Sequence, residues 1–288
     1  MKKLLTLIAI LYSFSANTQS NKVVLITGAS RGVGLATAEF LAENGFTVYG
    51  TVRDALPIAK QNIHFLALDL LDANAIHKAV QAILDQENRI DILINNAGYA
   101  LVGPVESLSE EEMHHQMEVN FFAPIRLIQA VLPSMRDQGS GHIINISSPN
   151  AFQPPPFGSL YSASKAALEA FSEALSVEVQ PHKISVSIIE PGLIQTHFAL
   201  PMGTKEIPNN PYRSITENIC TAIQERLAHP ERLSPSQTPK EIAEFLFGVI
   251  QDSHPKLRYQ TSEDAKQCIS KKLLDLTGEI YLEEMRSN

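Results

Sequence analysis

The 288-residue chain has no tryptophan and only two cysteines, Cys220 and Cys268. Two thiols cannot form a disulfide scaffold, and these two lack zinc-ligand spacing. None of the nine histidines falls in an HExxH-type arrangement, so the sequence offers no metal site. There is no run of Lys or Arg. With 23 basic against 31 acidic residues the formal net charge is -8, which argues against nucleic acid as a partner. No internal repeat or low-complexity linker breaks the chain. What remains is ordinary globular composition, 44% hydrophobic and 19% charged, with ample length for a buried core.

The first twenty residues stand apart. Lys2 and Lys3 precede an uncharged apolar stretch over 4–16, and small or polar residues follow up to Ser20. The pattern is that of a secretory signal peptide or an N-terminal anchor, with membrane contact through this end. The apolar stretch is short of the ~20 residues that span a bilayer. The alternative is an N-terminal helix packed on the domain.

From residue 21 onward, β-branched runs alternate with helical patterns. Strands are expected at 22–27, 46–51, 63–68, 90–95, 142–147 and 184–190, with helices at 33–44, 73–86, 110–136 and 159–180. Continuous apolar strands such as VVLIT suit a sheet buried on both faces. The alternation predicts an α/β fold: a doubly wound parallel sheet of the Rossmann type, helices on both faces, in one domain over 21–288. Beyond Pro191 the rhythm changes. Residues 192–239 carry six prolines from Pro201 to Pro239 and one predicted helix, 215–228. This stretch reads as a substrate lid over the carboxyl edge of the sheet. A helix at 240–251, a strand at 256–260 and a helix at 263–286 complete the expected fold.

The first strand runs into Gly28-Ala29-Ser30-Arg31-Gly32-Val33-Gly34 and then a helix. Glycines permit the tight turn and close backbone approach, and a helix N-terminus offers unpaired N–H groups to an anion such as a pyrophosphate. After the second strand, where an NAD site carries an acid for the ribose 2′-hydroxyl, the chain has Val52 and then Arg53. Arg31 and Arg53 together suit a 2′-phosphate, so NADP(H) is expected over NAD(H), with Asp54 tempering the second cation. Tyr161 and Lys165 lie four apart at the start of a helix, hence on one face. A nearby ammonium favours the phenolate, making Tyr161 a usable proton donor or acceptor near neutral pH.

The TGxxxGxG turn, the Asn95-Asn96-Ala97-Gly98 segment, Asn120, Ser148, the Tyr161/Lys165 pair and Pro191-Gly192 occur in that order. In this the chain resembles the short-chain dehydrogenase/reductase family, strongly over 22–196. The stretches VYGTVRD and FGSLYSASKAALEAFSEAL are most similar to its retinol dehydrogenase and 17β-hydroxysteroid dehydrogenase branch.

The resemblance implies a catalytic set of Asn120, Ser148, Tyr161 and Lys165. Ser148 precedes Tyr161 by the family's usual interval, with Ser147 as runner-up. Asn120 would interrupt its helix and hold a water linked to the lysine. Cofactor contacts are implied at Gly28, Ser30, Arg31, Gly32, Val33, Gly34, Arg53, Asp69, Asn95, Ala97, Gly98, Tyr161, Lys165, Pro191, Gly192, Ile194 and Thr196. Asp69 would meet the adenine, although on its own it reads equally as a helix cap, a job for which Asp72 is better placed. Pro149-Asn150-Ala151 departs from the small, glycine-containing turn of many relatives and leaves that loop's shape open.

The implied reaction is reversible hydride transfer between an alcohol and a ketone or aldehyde. Phe152, Pro154 to Phe157, Phe198, Leu200 and Met202 flank the reacting end and suggest an apolar, lipid-like substrate. Relatives also imply self-association through the long helices. Nicotinamide use points to the cytoplasm and the N-terminus points outward, so localisation stays open. Two other classes share parts of the pattern. Extended-type epimerases or dehydratases usually show TGxxGxxG, and non-enzymatic cofactor sensors tend to lose a reactive residue.

Overall fold

The computed structural model describes residues 22–53, 62–232, 236–274 and 283. The N-terminal leader and Asp54 lie outside the described residues, as do 275–282 and 284–286 of the expected terminal helix.

Seven strands form one parallel sheet: β1 Val23–Ile26, β2 Thr47–Val52, β3 Ile63–Ala67, β4 Ile92–Asn95, β5 Gly141–Ile146, β6 Ile184–Glu190 and β7 Arg258–Gln260. Their order is β3-β2-β1-β4-β5-β6-β7. The expected Rossmann-type sheet is therefore present. The order reverses between β1 and β4, which opens a crevice beyond their carboxyl ends.

Helices cover both faces because the strands are apolar on both. On one face α2 (Ala73–Glu87), α4 (Ala123–Gln138) and α5 (Ser159–Val179) enclose Leu25, Leu93, Leu127, Ile143 and Val186. On the other, α1 (Gly32–Glu43) and α7 (Pro239–Gln251) enclose Ile26, Ile94, Ile144, Ile189 and Leu246. The Phe247 ring meets Phe40 and Phe46 edge-on at 5.5 and 6.3 Å.

The single helix expected over 110–136 is three segments. Residues α3 (Glu110–Met117) and α4 are joined by a π-helical turn, Glu118–Phe122. One extra residue is accommodated there, at Asn120, which hydrophobic periodicity does not register. Helix α1 starts at Gly32, one residue before the expected start, with Arg31 at its N-cap.

Past β6 the chain crosses the carboxyl edge of the sheet. Ala100 N–H donates to Ala199 O (3.0 Å), Val102 N–H to Pro201 O (2.9 Å) and Gly203 N–H to Val102 O (2.9 Å). Helix α6 (Arg213–Ala228) follows, and α8 (Glu263–Leu274) ends the described fold. Among the described residues no helix is long and apolar enough to cross a membrane.

Leu246 is fully buried between α7 and the sheet. Leu246→Ala is expected to lower unfolding free energy by roughly 2–5 kcal/mol in urea titrations, while a loss below ~1 kcal/mol would contradict this packing.

Candidate active site

The glycine turn after β1 and the Asn95–Gly98 segment after β4 meet at the switch point of the sheet. Thr27 Oγ1 accepts from the Asn96 and Ala97 N–H groups, each at 3.0 Å. Asn96 Nδ2 donates to Thr27 O (2.8 Å) and Gly28 O (3.3 Å). Sequence reasoning missed Asn96 as the residue that ties the two loops. Its signal was present: an amide beside a glycine turn can satisfy carbonyls that the turn exposes.

Gly28 and Gly32 hold φ of +70° and +58°, so a side chain at either would be strained. A Cβ on Gly34 would collide with the Gly28 carbonyl. At Gly32 a Cβ would come within 2.7 Å of Thr196 Oγ1, which places Thr196 against the turn. No side chain caps α1, so the backbone N–H groups of its first turn face the crevice uncapped. Ser30 and Val33 belong to this same turn. Uncapped N–H groups at a helix N-terminus can hold an anion.

Ala29 N–H donates to Thr51 O at 2.9 Å, pinning the turn to the end of β2. Arg31 and Arg53, each two residues past this tie, are both exposed. Val52, at the position where an acid was looked for, is buried.

Other expected cofactor residues take varied positions. Asp69 Oδ1 accepts from Leu71 N–H (3.0 Å) in a local turn, while Asp72 caps α2, as its spacing suggested. Asn95 is buried and donates to Asn145 Oδ1 (2.8 Å), so its side chain ties β4 to β5 inside the sheet instead of facing the crevice. Ala97 and Gly98 stay at the crevice through the Asn96 ties. Beyond β6, buried Pro191 leads to Gly192, whose N–H donates to Thr261 Oγ1 at 3.3 Å. Ile194 packs on the α1/α7 core.

At the reacting end, α5 carries Tyr161 and Lys165 on its buried face. Lys165 is 4% exposed, and its Nζ donates to Ile146 O at 2.7 Å. The same ammonium lies 5.9 Å from the Tyr161 ring centroid. Burial pulls the lysine down to about 8, and the nearby Glu169 charge opposes that shift. A Cβ on Gly98 would stand 3.2 Å from Asn120 Oδ1 and 3.6 Å from Lys165 Nζ. Gly98, Asn120 and Lys165 therefore crowd one point.

The Asn120 side chain is committed. Its Oδ1 accepts from Tyr99 N–H (3.2 Å), and its Nδ2 donates to Tyr99 O and Ser164 Oγ, both at 3.0 Å. It bridges the loop after β4 to α5 from within the π turn.

Ser148 leaves β5 in extended backbone, and its Oγ accepts from Asn150 N–H at 3.2 Å. Pro149–Ala151 is thus a 3₁₀ turn capped by Ser148, which settles the shape of the departing loop. Phe157 was expected only as pocket lining. It holds left-handed backbone at φ +63°, and its carbonyl accepts from Gly103 N–H (2.8 Å). Such strain concentrates at functional sites. The Phe198 ring approaches Tyr161 edge-on at 6.1 Å.

The family model described as short chain dehydrogenase matches residues 22–206. The chain is 43% identical over 178 residues to a 3-ketodihydrosphingosine reductase of Bacteroides thetaiotaomicron, a match covering 62% of this chain and 65% of the relative. It is 32% identical over 280 residues to retinol dehydrogenase 8 of Bos taurus, covering 91% and 88%. A metagenomic short-chain oxidoreductase solved in complex with NADP superposes with a TM-score of 0.66 at 27% identity, covering 84% of this chain and 96% of that one.

Asn96→Ala removes the only side-chain donor on the Thr27 and Gly28 carbonyls among the described residues. Losing it costs about 1–3 kcal/mol, so dinucleotide binding measured by calorimetry is expected to weaken roughly tenfold with the circular dichroism unchanged. Unaltered affinity would contradict the role given to this tie. By its family match and its long alignments to such enzymes, the chain belongs to the short-chain dehydrogenase family of oxidoreductases.

Proposed function

We propose that the protein is an NADP(H)-dependent dehydrogenase or reductase that interconverts an alcohol and a ketone or aldehyde on an apolar, lipid-, retinoid- or steroid-like substrate. The observation that carries this reading is the buried Lys165 ammonium beside the Tyr161 ring, at the crevice that the glycine turn opens.

The residues present fit a dinucleotide. Gly28, Ser30, Gly32, Val33 and Gly34 form a turn whose uncapped N–H groups suit a pyrophosphate. Arg31 and Arg53 suit a 2′-phosphate, and Val52 supplies no acid. The related oxidoreductase solved with NADP supports that choice. Asp69, Ala97 and Gly98 would line the adenosine side. Pro191, Gly192, Ile194 and Thr196 would close over the nicotinamide side. When bound, the nicotinamide exchanges a hydride with the substrate carbon.

The chain's own groups handle the proton. In reduction Tyr161 donates from its hydroxyl to the substrate oxygen as negative charge develops there. Lys165 then stabilises the phenolate. Ser148 donates a second hydrogen bond to the same oxygen. Asn120 fixes the Tyr99 loop against α5 and so keeps Lys165 in place. Oxidation runs each step backwards.

Phe198 against Tyr161, and Phe157 at 6.3 Å from the Tyr212 ring, support an apolar wall beside the reacting hydroxyl. Relatives named for ketodihydrosphingosine reduction and for retinol dehydrogenation support the same class of substrate. The 192–239 stretch is the candidate lid. Self-association through α4 and α5 belongs to the same reading.

Tyr161→Phe is expected to cut turnover by roughly 10²–10⁴-fold while leaving cofactor affinity near wild type. Substantial residual turnover would overturn the assignment. In a coupled panel NADPH is expected to outperform NADH, and long-chain or polycyclic ketones to outperform small polar ones. Best activity on sugars or hydroxy acids would overturn the apolar reading, and equal efficiency with both cofactors would remove the role given to Arg31 and Arg53.

A further inference from the structure

Beneath Lys165 lies a buried charged cluster that the reaction above does not use. Glu169 stands one helical turn beyond Lys165 on α5, and Glu190 ends β6. They are 4% and 0% exposed. One guanidinium serves both: Arg258 Nε, on β7, lies 3.0 Å from Glu169 Oε2 and 3.6 Å from Glu190 Oε1. Its Nη1 is spent on the half-exposed Glu173, at 2.8 Å. Gln260 Nε2 donates to Glu190 Oε2.

Glu169 Oε1 and Glu190 Oε1 are buried without a hydrogen-bond donor among the described residues. Two desolvated carboxylates on one cation repel each other. The two carboxyl groups are within hydrogen-bond reach of each other, and a proton between them removes the repulsion.

The cluster reaches the reacting end from two sides. On α5 it adjoins Lys165. Just past β5, the Ser147 hydroxyl is a neutral group beside Glu169. Ser147 joins Ile146, whose carbonyl holds Lys165, to Ser148. The Phe152 ring covers the Arg258 guanidinium at 5.8 Å.

We propose, resting on the dehydrogenase reading above, that Glu169 and Glu190 share a single proton and that Glu169 is a positioning residue whose one negative charge keeps Lys165 an ammonium beside Tyr161. Glu169 is the ionised partner, since Arg258 lies closer to it. Glu190 is the protonated one, pushed up to about 7 by burial and then by the Glu169 charge. Because its ordinary value is 4.5, the folded chain binds a proton that the unfolded chain releases. Its contribution to stability is therefore present below 4.5 and is lost as pH rises through about 7.

Infrared difference spectra of the full chain without ligand, wild type minus Glu190→Gln, test the shared proton. A protonated carboxyl C=O band is expected at pH 6 that disappears as pH rises through about 7. Its absence at pH 6 would overturn the pair.

Carbonyl reduction tests the positioning role. For Glu169→Gln, kcat is expected to fall about twofold at pH 7 and about tenfold at pH 9, with KM within roughly twofold. The alkaline limb should move about one unit to lower pH, because a lysine without its anionic neighbour loses its proton sooner. Glu169→Asp should restore part of both, and Glu190→Gln should keep kcat within roughly threefold of wild type. A lower kcat with an unmoved alkaline limb would mean a merely structural role and overturn the positioning claim, as would a wild-type profile. If the wild type turns over no carbonyl substrate with NADPH, the dehydrogenase reading and the positioning role fail together, while the infrared band still decides the shared proton.

Discussion

A lysine ammonium taken out of water is the constraint around which the site is organised. Burying such a charge costs several kcal/mol unless strong partners replace the water. Lys165 has the Ile146 carbonyl at 2.7 Å, the Tyr161 ring and the field of Glu169. Those partners come from β5 and α5, so the sheet and the helix must be in register for the lysine to be tolerated at all. In the proposed function that charge serves Tyr161, a phenol that gives and takes a proton.

The rest of the fold places that pair at a crevice. Parallel strands carry their connecting loops to one edge, and the reversal of order between β1 and β4 leaves a gap there. Thr27 and Asn96 tie the loops on either side of the gap, and Asn120 carries the tie onward to α5. These hydrogen bonds, joined by the backbone of 96–99, thus link the glycine turn to the helix bearing Tyr161. The π turn at Glu118–Phe122 makes this reach possible, since a regular helix would rotate Asn120 away from Tyr99 and Ser164.

Much of this was legible in the sequence. The strands are apolar runs of β-branched residues, so their existence and parallel pairing follow from pattern, and the glycine turn is dictated by φ at Gly28 and Gly32. Tyr161 and Lys165 share a face by helical spacing alone. The break at Asn120 was implied by the family resemblance but not by periodicity, because one inserted residue leaves the apolar pattern of 110–136 almost intact. The inward turn of Asn95 was not legible, because its partner Asn145 lies on a different strand. The Glu169–Glu190–Arg258 cluster was hidden for the same reason: its members are brought together by packing of α5, β6 and β7, and each alone reads as an ordinary charged residue.

The account stands most directly on the state of one amine. Nuclear magnetic resonance titration of the Lys165 side chain, assigned by comparison with Lys165→Arg, reads it without any substrate. A midpoint near 8 is expected from its burial. A midpoint at the ordinary lysine value of 10.5 would mean a solvated amine and would contradict the account.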